Sequence, residues 1–278
     1  MARLRRNRRD DREPSLSIAD GDDGKVLVRC HAGCEQHRVI AALKARGIWG
    51  NPGRRRTVAS GRGAIDQPST TDASRTKAGL RIWDATSAAS GTLVETYLRS
   101  RNIVIRPPVT LRFHAGLKHP AGQRWPTMVA LVVSGANGKP VAVHRTFLAR
   151  DGLGKASVEP AKMMLGPCHG GAVRLGPVGE RLLIAEGIET ALSAMQATAQ
   201  PAWAALSTSG LRTLELPEHV RDVVVLADGD APGEAAAQDA GLRWKRQGRR
   251  VRIARPPRDF DFNDVLRGRT STHAEDFA

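Results

Sequence analysis

The sequence predicts an α/β protein. Its C-terminal third is a parallel sheet flanked by helices, preceded by a smaller α+β unit and a small N-terminal module. Three observations carry this. Strand-like runs at Arg181 to Ala185, Ala202 to Leu206, Val223 to Ala227 and Arg250 to Ala254 alternate with helical stretches at Ile188 to Ala197 and Gly233 to Arg246; that alternation implies βαβ units. Two of the runs end in acids: Glu186 closes Leu182-Leu183-Ile184-Ala185, and Asp228-Gly229-Asp230 closes Val223-Val224-Val225-Leu226. In the middle of the chain, Asn137-Gly138 separates two strand-like runs, Met128 to Val133 and Val141 to Leu148. That dipeptide favours tight hairpins, so this part reads as antiparallel.

Taken in order, residues 1–49 form the small module. An arginine-rich arm (Arg3, Arg5, Arg6, Arg8, Arg9, Arg12) leads through a turn at Asp22-Asp23-Gly24 into a strand over Lys25 to Arg29. Cys30-His31-Ala32-Gly33-Cys34 follows, then a short helical pattern through Val39-Ile40 and Leu43 that ends near Gly47. Residues 50–78 are rich in Gly, Pro, Ser, Thr and Arg with little apolar periodicity, and read as a flexible linker. The α+β unit spans 79–178, with a helix over Leu93 to Arg101 capped by Ser90-Gly91-Thr92. The parallel unit spans 179–270, and no internal repeat is evident.

Composition narrows the function. The 278 residues are 41% hydrophobic, enough for real cores, and the formal net charge is +15. An excess of Lys and Arg points to a polyanion partner, foremost nucleic acid. No apolar stretch is long enough to span a membrane and no secretory signal follows Met1, so the expected location is cytoplasmic. Three cysteines, Cys30, Cys34 and Cys168, make no disulfide framework and fit a reducing compartment.

The acidic strand ends carry the chemistry. Carboxylates at the C-terminal edge of a parallel sheet stand where open α/β folds build their sites. In extended backbone, residues two apart point the same way, so Asp228 and Asp230 can present both carboxylates to one side. A Glu and two Asp suit Mg²⁺, which takes one or two carboxylates and fills its shell with water and substrate phosphates. Either acid stretch alone also reads as a solvated turn or a helix N-cap, and Glu186 alone as surface. Their joint placement favours a site.

A Glu-Gly pair after one apolar strand and a D-x-D-x-x-G string after another resemble the Toprim domain of bacterial-type primases, topoisomerases and some nucleases. Within that group the chain most resembles primase-like proteins of phages and mobile elements, through Glu189-Thr190-Ala191-Leu192-Ser193 and Asp261-Phe262-Asn263-Asp264-Val265-Leu266 as well. The resemblance implies Glu186, Asp228 and Asp230 as catalytic and metal-holding residues for Mg²⁺ or Mn²⁺, with Asp261 and Asp264 as further metal candidates. A helix N-cap before Val265-Leu266 explains the last two equally well. Glu189 is a candidate supporting group. The implied function is metal-dependent RNA primer synthesis on single-stranded DNA from ribonucleoside triphosphates, with a separate replicative helicase as partner, since no Walker string is present. A metal-dependent nuclease and a non-catalytic DNA-binding accessory factor are the alternatives. Strand passage is disfavoured, because the only tyrosine, Tyr97, lies in an amphipathic helical pattern.

Cys30 and Cys34 have a spacing used at Zn²⁺ sites. The primase-type zinc module supplies a Cys-x-x-His pair upstream, where this chain has Arg6 and Arg9, so the resemblance implies a degenerate, metal-free zinc-ribbon-like module, with a misassigned start of the sequence and a rearranged Zn²⁺ site using His31 or His37 as the alternatives. Candidate nucleic-acid contacts are Arg54, Arg55 and Arg56, then Arg145 and Lys162, then Arg246, Arg249 and Arg250. Arg112, His114, Lys118, His144 and Lys155 also recur beside the middle strands. Aromatics make up only 4%, so contact with DNA is expected to be electrostatic more than stacking.

Overall fold

The computed structural model describes residues 16–20, 26–30, 35–45, 70–257 and 260–268. The chain divides into two units, Met1–Ile65 and Asp66–Ala278. In the first, β1 (Leu16–Asp20) and β2 (Val26–Cys30) pair antiparallel, with Leu16 opposite Cys30. Helix α1 (Gln36–Ala45) follows and buries Val39. Cys30 is the last residue of β2, whereas Cys34 and Arg54 to Arg56 lie outside the described residues.

The second unit opens with α2 (Thr70–Asp84), which begins inside the segment read as linker. That reading weighed the small polar residues, but α2 docks through two of them. Thr76 donates its hydroxyl to the Val141 carbonyl at 2.8 Å. Gly79 passes so close to the Leu165 carbonyl that a Cβ would sit 2.8 Å from it. Strand β3 (Ser87–Ala88) and α3 (Leu93–Ser100) come next; the Thr92 side chain caps α3 by accepting from the Val94 N–H. Val94, Tyr97 and Leu98 form its buried stripe.

Strands β4 (Leu111–Lys118), β5 (Arg124–Ser134), β6 (Pro140–Phe147), β7 (Lys162–Leu165) and β8 (Gly171–Arg174) are antiparallel. The β5–β6 connection is longer than a two-residue hairpin. Ser134 and Lys139 close it, Asn137 accepts from the Lys139 N–H at 2.9 Å, and Gly138 takes the left-handed φ of 72° the turn requires. Its register slips near Val133, a bulge the alternation pattern does not reveal.

The C-terminal third runs β9 (Arg181–Ala185), α4 (Ile188–Thr198), β10 (Ala202–Ala204), α5 (Thr208–Thr213), β11 (Asp222–Leu226), α6 (Ala231–Arg246), β12 (Arg250–Ala254) and α7 (Phe262–Leu266). Strands β12-β11-β9-β10 lie side by side and parallel. The other edge of β10 pairs antiparallel with β8, so the two expected units share one ten-stranded mixed sheet.

Both faces of its parallel part are covered, as continuous apolar runs require. Leu183 and Ala185 pack with Ile188, Ala191 and Leu192 of α4, while Leu182 and Ile184 pack with Leu211 of α5 and Ala236, Ala240 and Trp244 of α6. Trp203 and Trp244 are wholly buried, each contributing roughly 2–3 kcal/mol by area removed from water. Among the described residues no helix is long and apolar enough to cross a membrane.

Candidate active site

Strand order places the site. From β9 the chain moves to β10 on one side, then returns past β9 to β11 on the other. Such a reversal opens a crevice at the carboxyl ends of the two strands. Ala185 and Leu226 are register partners, so Glu186 and the Asp228 loop leave the sheet side by side.

Local backbone holds both. Leu206, at a left-handed φ of 72° unusual for a branched residue, donates its N–H to the Glu186 carbonyl at 2.8 Å. Strain of that kind concentrates at functional sites. Gly233 lies so near the acids that a Cβ would fall 2.9 Å from both the Asp228 Cβ and the Asp230 Oδ1. Asp230 caps α6, its Oδ1 accepting from the Gly233 N–H at 2.7 Å. Asp261 caps α7 in a reciprocal box with Asp264. The N-cap reading therefore holds geometrically for Asp230 and for Asp261.

Electrostatics separates these acids. Burial, then Asp228 and Asp230, raise the Glu186 pKa. Burial, then Asp261 and Asp230, push Asp228 up to about 6. The Asp228 Oδ1 is buried and accepts no hydrogen bond. Among the described residues no three His, Cys, Asp or Glu side chains close around a single point as a ready-made metal cage. Yet a buried oxygen with no donor, among carboxylates that repel one another, fits a divalent cation that keeps water and ligand oxygens in its shell. Cys34, one of the two Zn²⁺ candidates, lies outside the described residues.

The carboxylates open into a cavity of about 140 Å³. Glu186, Glu189, Asp228 and Asp261 meet Arg101, His144, Lys155 and Lys162 across it. A second hollow, about 400 Å³, lies beside Asp228-Gly229-Asp230 and is bounded by Glu234 and Arg255, which pair at 2.7 Å.

Of the basic residues singled out in the sequence, His144, Lys155 and Lys162 line the smaller cavity. Arg145 is buried and donates to the Met164 carbonyl at 3.1 Å. Arg249 staples a loop, donating to the carbonyls of Val220 and Leu216 at 3.1 and 2.9 Å. Arg250 opens β12 opposite Asp222, at the sheet end away from Glu186, and Arg246 is exposed at the end of α6. The structure thus does not bring Arg246, Arg249 and Arg250 to the carboxylates. Sequence reasoning missed Arg101 and Tyr97 as neighbours of the site, and no local motif marks them.

A Toprim family model matches residues 181–271, from the first residue of β9 past the end of α7. Residues 181–271 are a Toprim domain. Residues 73–175, from within α2 to just past β8, match a domain of unknown function (DUF7146). Among solved structures, the primase fragment of the bacteriophage T7 primase-helicase protein is 17% identical, with 66% of this chain and 71% of that one covered at a TM-score of 0.40. A DNA primase domain from Pseudomonas aeruginosa is 17% identical, with 65% and 57% covered at 0.37. The Aquifex aeolicus primase (zinc binding and RNA polymerase domains) is 13% identical, with 92% and 76% covered at 0.42. The chain thus spans little more than half of the Pseudomonas domain. A search of curated proteins found no match.

Proposed function

We propose that this chain is a primase-like nucleotidyltransferase that joins ribonucleotides on a single-stranded DNA template, with Mg²⁺ or Mn²⁺ as cofactor. The observation that carries the reading is the opposition, in one small cavity, of a Toprim-domain carboxylate with a buried unpartnered oxygen and a cationic wall from residues 101–162. Carboxylates alone would suit cation storage; the lysines facing them suit a phosphorylated substrate.

Asp228 and Asp230 would hold the cation, with Glu186 beside them. Bound there, it would lower the pKa of the attacking hydroxyl and stabilise the charge on the leaving group. Glu186, with its proton affinity raised by burial and by its neighbours, would accept the proton the 3′-hydroxyl loses. The new bond joins that oxygen to the α-phosphorus, and pyrophosphate departs with the electrons of the broken P–O bond. Lys162 faces the charge that develops on it. Ribonucleoside triphosphates and single-stranded DNA would be the substrates, and a replicative helicase is the candidate partner.

Purified protein given single-stranded templates, labelled ribonucleotides and Mg²⁺ is expected to yield short oligomers, and Asp228→Ala to reduce them at least 100-fold, of the order of losing one electrostatic transition-state group. DNA incubated without nucleotides should stay intact. Cleavage there, with no synthesis, would replace the reading with a nuclease.

A further inference from the structure

Glu189 is an acid of the cavity that the proposed reaction does not use. It stands in the first turn of α4, three residues past Glu186. Its Oε1 accepts a hydrogen bond from the Tyr97 hydroxyl at 2.5 Å, and Tyr97 is wholly buried in α3, 92 residues away in sequence. A tyrosine with no exposed surface, whose one polar atom meets a carboxylate, costs packing freedom that Phe would not. Amphipathic packing alone does not require it.

The surroundings differ from those of the other acids. Lys155 sits where the turn after β6 folds back, bridging to Leu148, and Lys162 opens β7. Both line the cavity with Glu189. Burial pushes Glu189 toward protonation, but Lys162, Lys155 and the Tyr97 hydroxyl outweigh it and leave its pKa lowered. The same charge works in reverse on Lys155: burial, Lys162 and Arg101 disfavour its ammonium form, and Glu189 is the group that opposes them. His144, facing the cavity from β6, is held neutral by burial. Glu186 and Asp228 complete the acidic side.

We propose that Tyr97 and Glu189 are a positioning pair that holds Lys155 and Lys162 across the cavity from Glu186 and Asp228, where the lysines receive the phosphates of the ligand. The inference rests on the proposed function for the identity of that ligand. Tyr97 fixes one oxygen of Glu189, and the carboxylate supplies counter-charge to the two lysines that line the cavity with it. Glu189 thereby opposes the burial that disfavours the Lys155 ammonium form.

The test uses the full chain and inorganic pyrophosphate in Mg²⁺ buffer, read by calorimetry. Tyr97→Phe, Glu189→Gln and Lys155→Met are each expected to weaken pyrophosphate binding about five- to tenfold. The double variant Tyr97→Phe/Lys155→Met should bind no worse than about tenfold below the parent, because both substitutions remove one coupled unit. In primer synthesis the same variants should raise the nucleotide KM with kcat little changed. Additive losses in the double variant, or unaltered binding in Glu189→Gln, would overturn the proposal, since a packing role alone gives additivity. Glu189→Gln conserves shape, so it decides the matter if Tyr97→Phe fails to fold. Coupled pyrophosphate binding without primer synthesis would sink the proposed reaction and leave this pair standing.

Discussion

The two ends of the parallel sheet use the same residue types to opposite effect. At the amino ends of the strands, Asp222 is buried, and it takes bonds from Arg181 at 2.8 Å and Arg252 at 3.0 Å. Burial opposes its ionisation, but the two guanidinium groups prevail and lower its pKa. At the carboxyl ends, Asp228 has a buried oxygen with no donor, three other carboxylates near it, and a raised pKa. One end satisfies its charge within the chain. The other leaves charge unsatisfied, to be met by something that binds. Paired charge marks architecture here, and unpaired charge marks the site.

Breaking the satisfied end should cost the most stability. Asp222→Ala removes the acceptor for two arginines at once and is expected to destabilise the fold by about 2–4 kcal/mol, read by denaturant unfolding, with cation binding intact. A change of less than about 0.5 kcal/mol would place Asp222 among ordinary surface pairs. Gly233→Ala comes next. Its Cβ would press on the Asp228 Cβ and the Asp230 carboxylate at 2.9 Å, so a loss of about 1–3 kcal/mol is expected together with loss of activity, since the neighbours that must shift are the site itself.

Asp228→Asn should act in the other direction. A carboxyl whose folded pKa is about 6, above its unfolded value near 4, adds stability below the unfolded value and loses it as pH rises through 6. Without divalent metal, the parent should therefore lose roughly 1–2 kcal/mol attributable to Asp228 between pH 4 and 7, and Asp228→Asn should flatten that slope and be the more stable at pH 7.5. His144 slopes oppositely, because its pKa, lowered to about 4 by burial, makes it stabilising above its ordinary value and destabilising as pH falls through 4. The Asp228→Asn difference isolates one from the other. Equal slopes in parent and variant would mean that Asp228 is not the frustrated group.

Much of the acidic half of the site is legible in the sequence, because it is local: an apolar run, an acid, a glycine and the next helix lie within ten residues, as at Val223 to Gly233. The cationic half is not. Arg101, Lys155 and Lys162 come from the end of α3, a turn and the start of β7, and only the paired sheet brings them to Glu186. The positions of Arg246, Arg249 and Arg250 are hidden for the same reason, since a count of charges says nothing of which end of a strand they occupy. Asp222 shows this in reverse, an acid at a strand start whose arginine partners are 41 and 30 residues away. Helix α2 escaped notice because a small-residue helix that docks through Thr76 and Gly79 carries almost no apolar period.

The central claim is that the carboxyl end of the sheet is completed by a cation. Mn²⁺ titrated into the metal-free protein at pH 7.5, read by calorimetry and by paramagnetic relaxation, tests it most directly. Binding that weakens at least tenfold in Asp228→Asn but is unchanged in Asp222→Asn is the predicted result. Mn²⁺ affinity equal in the parent and Asp228→Asn would contradict it.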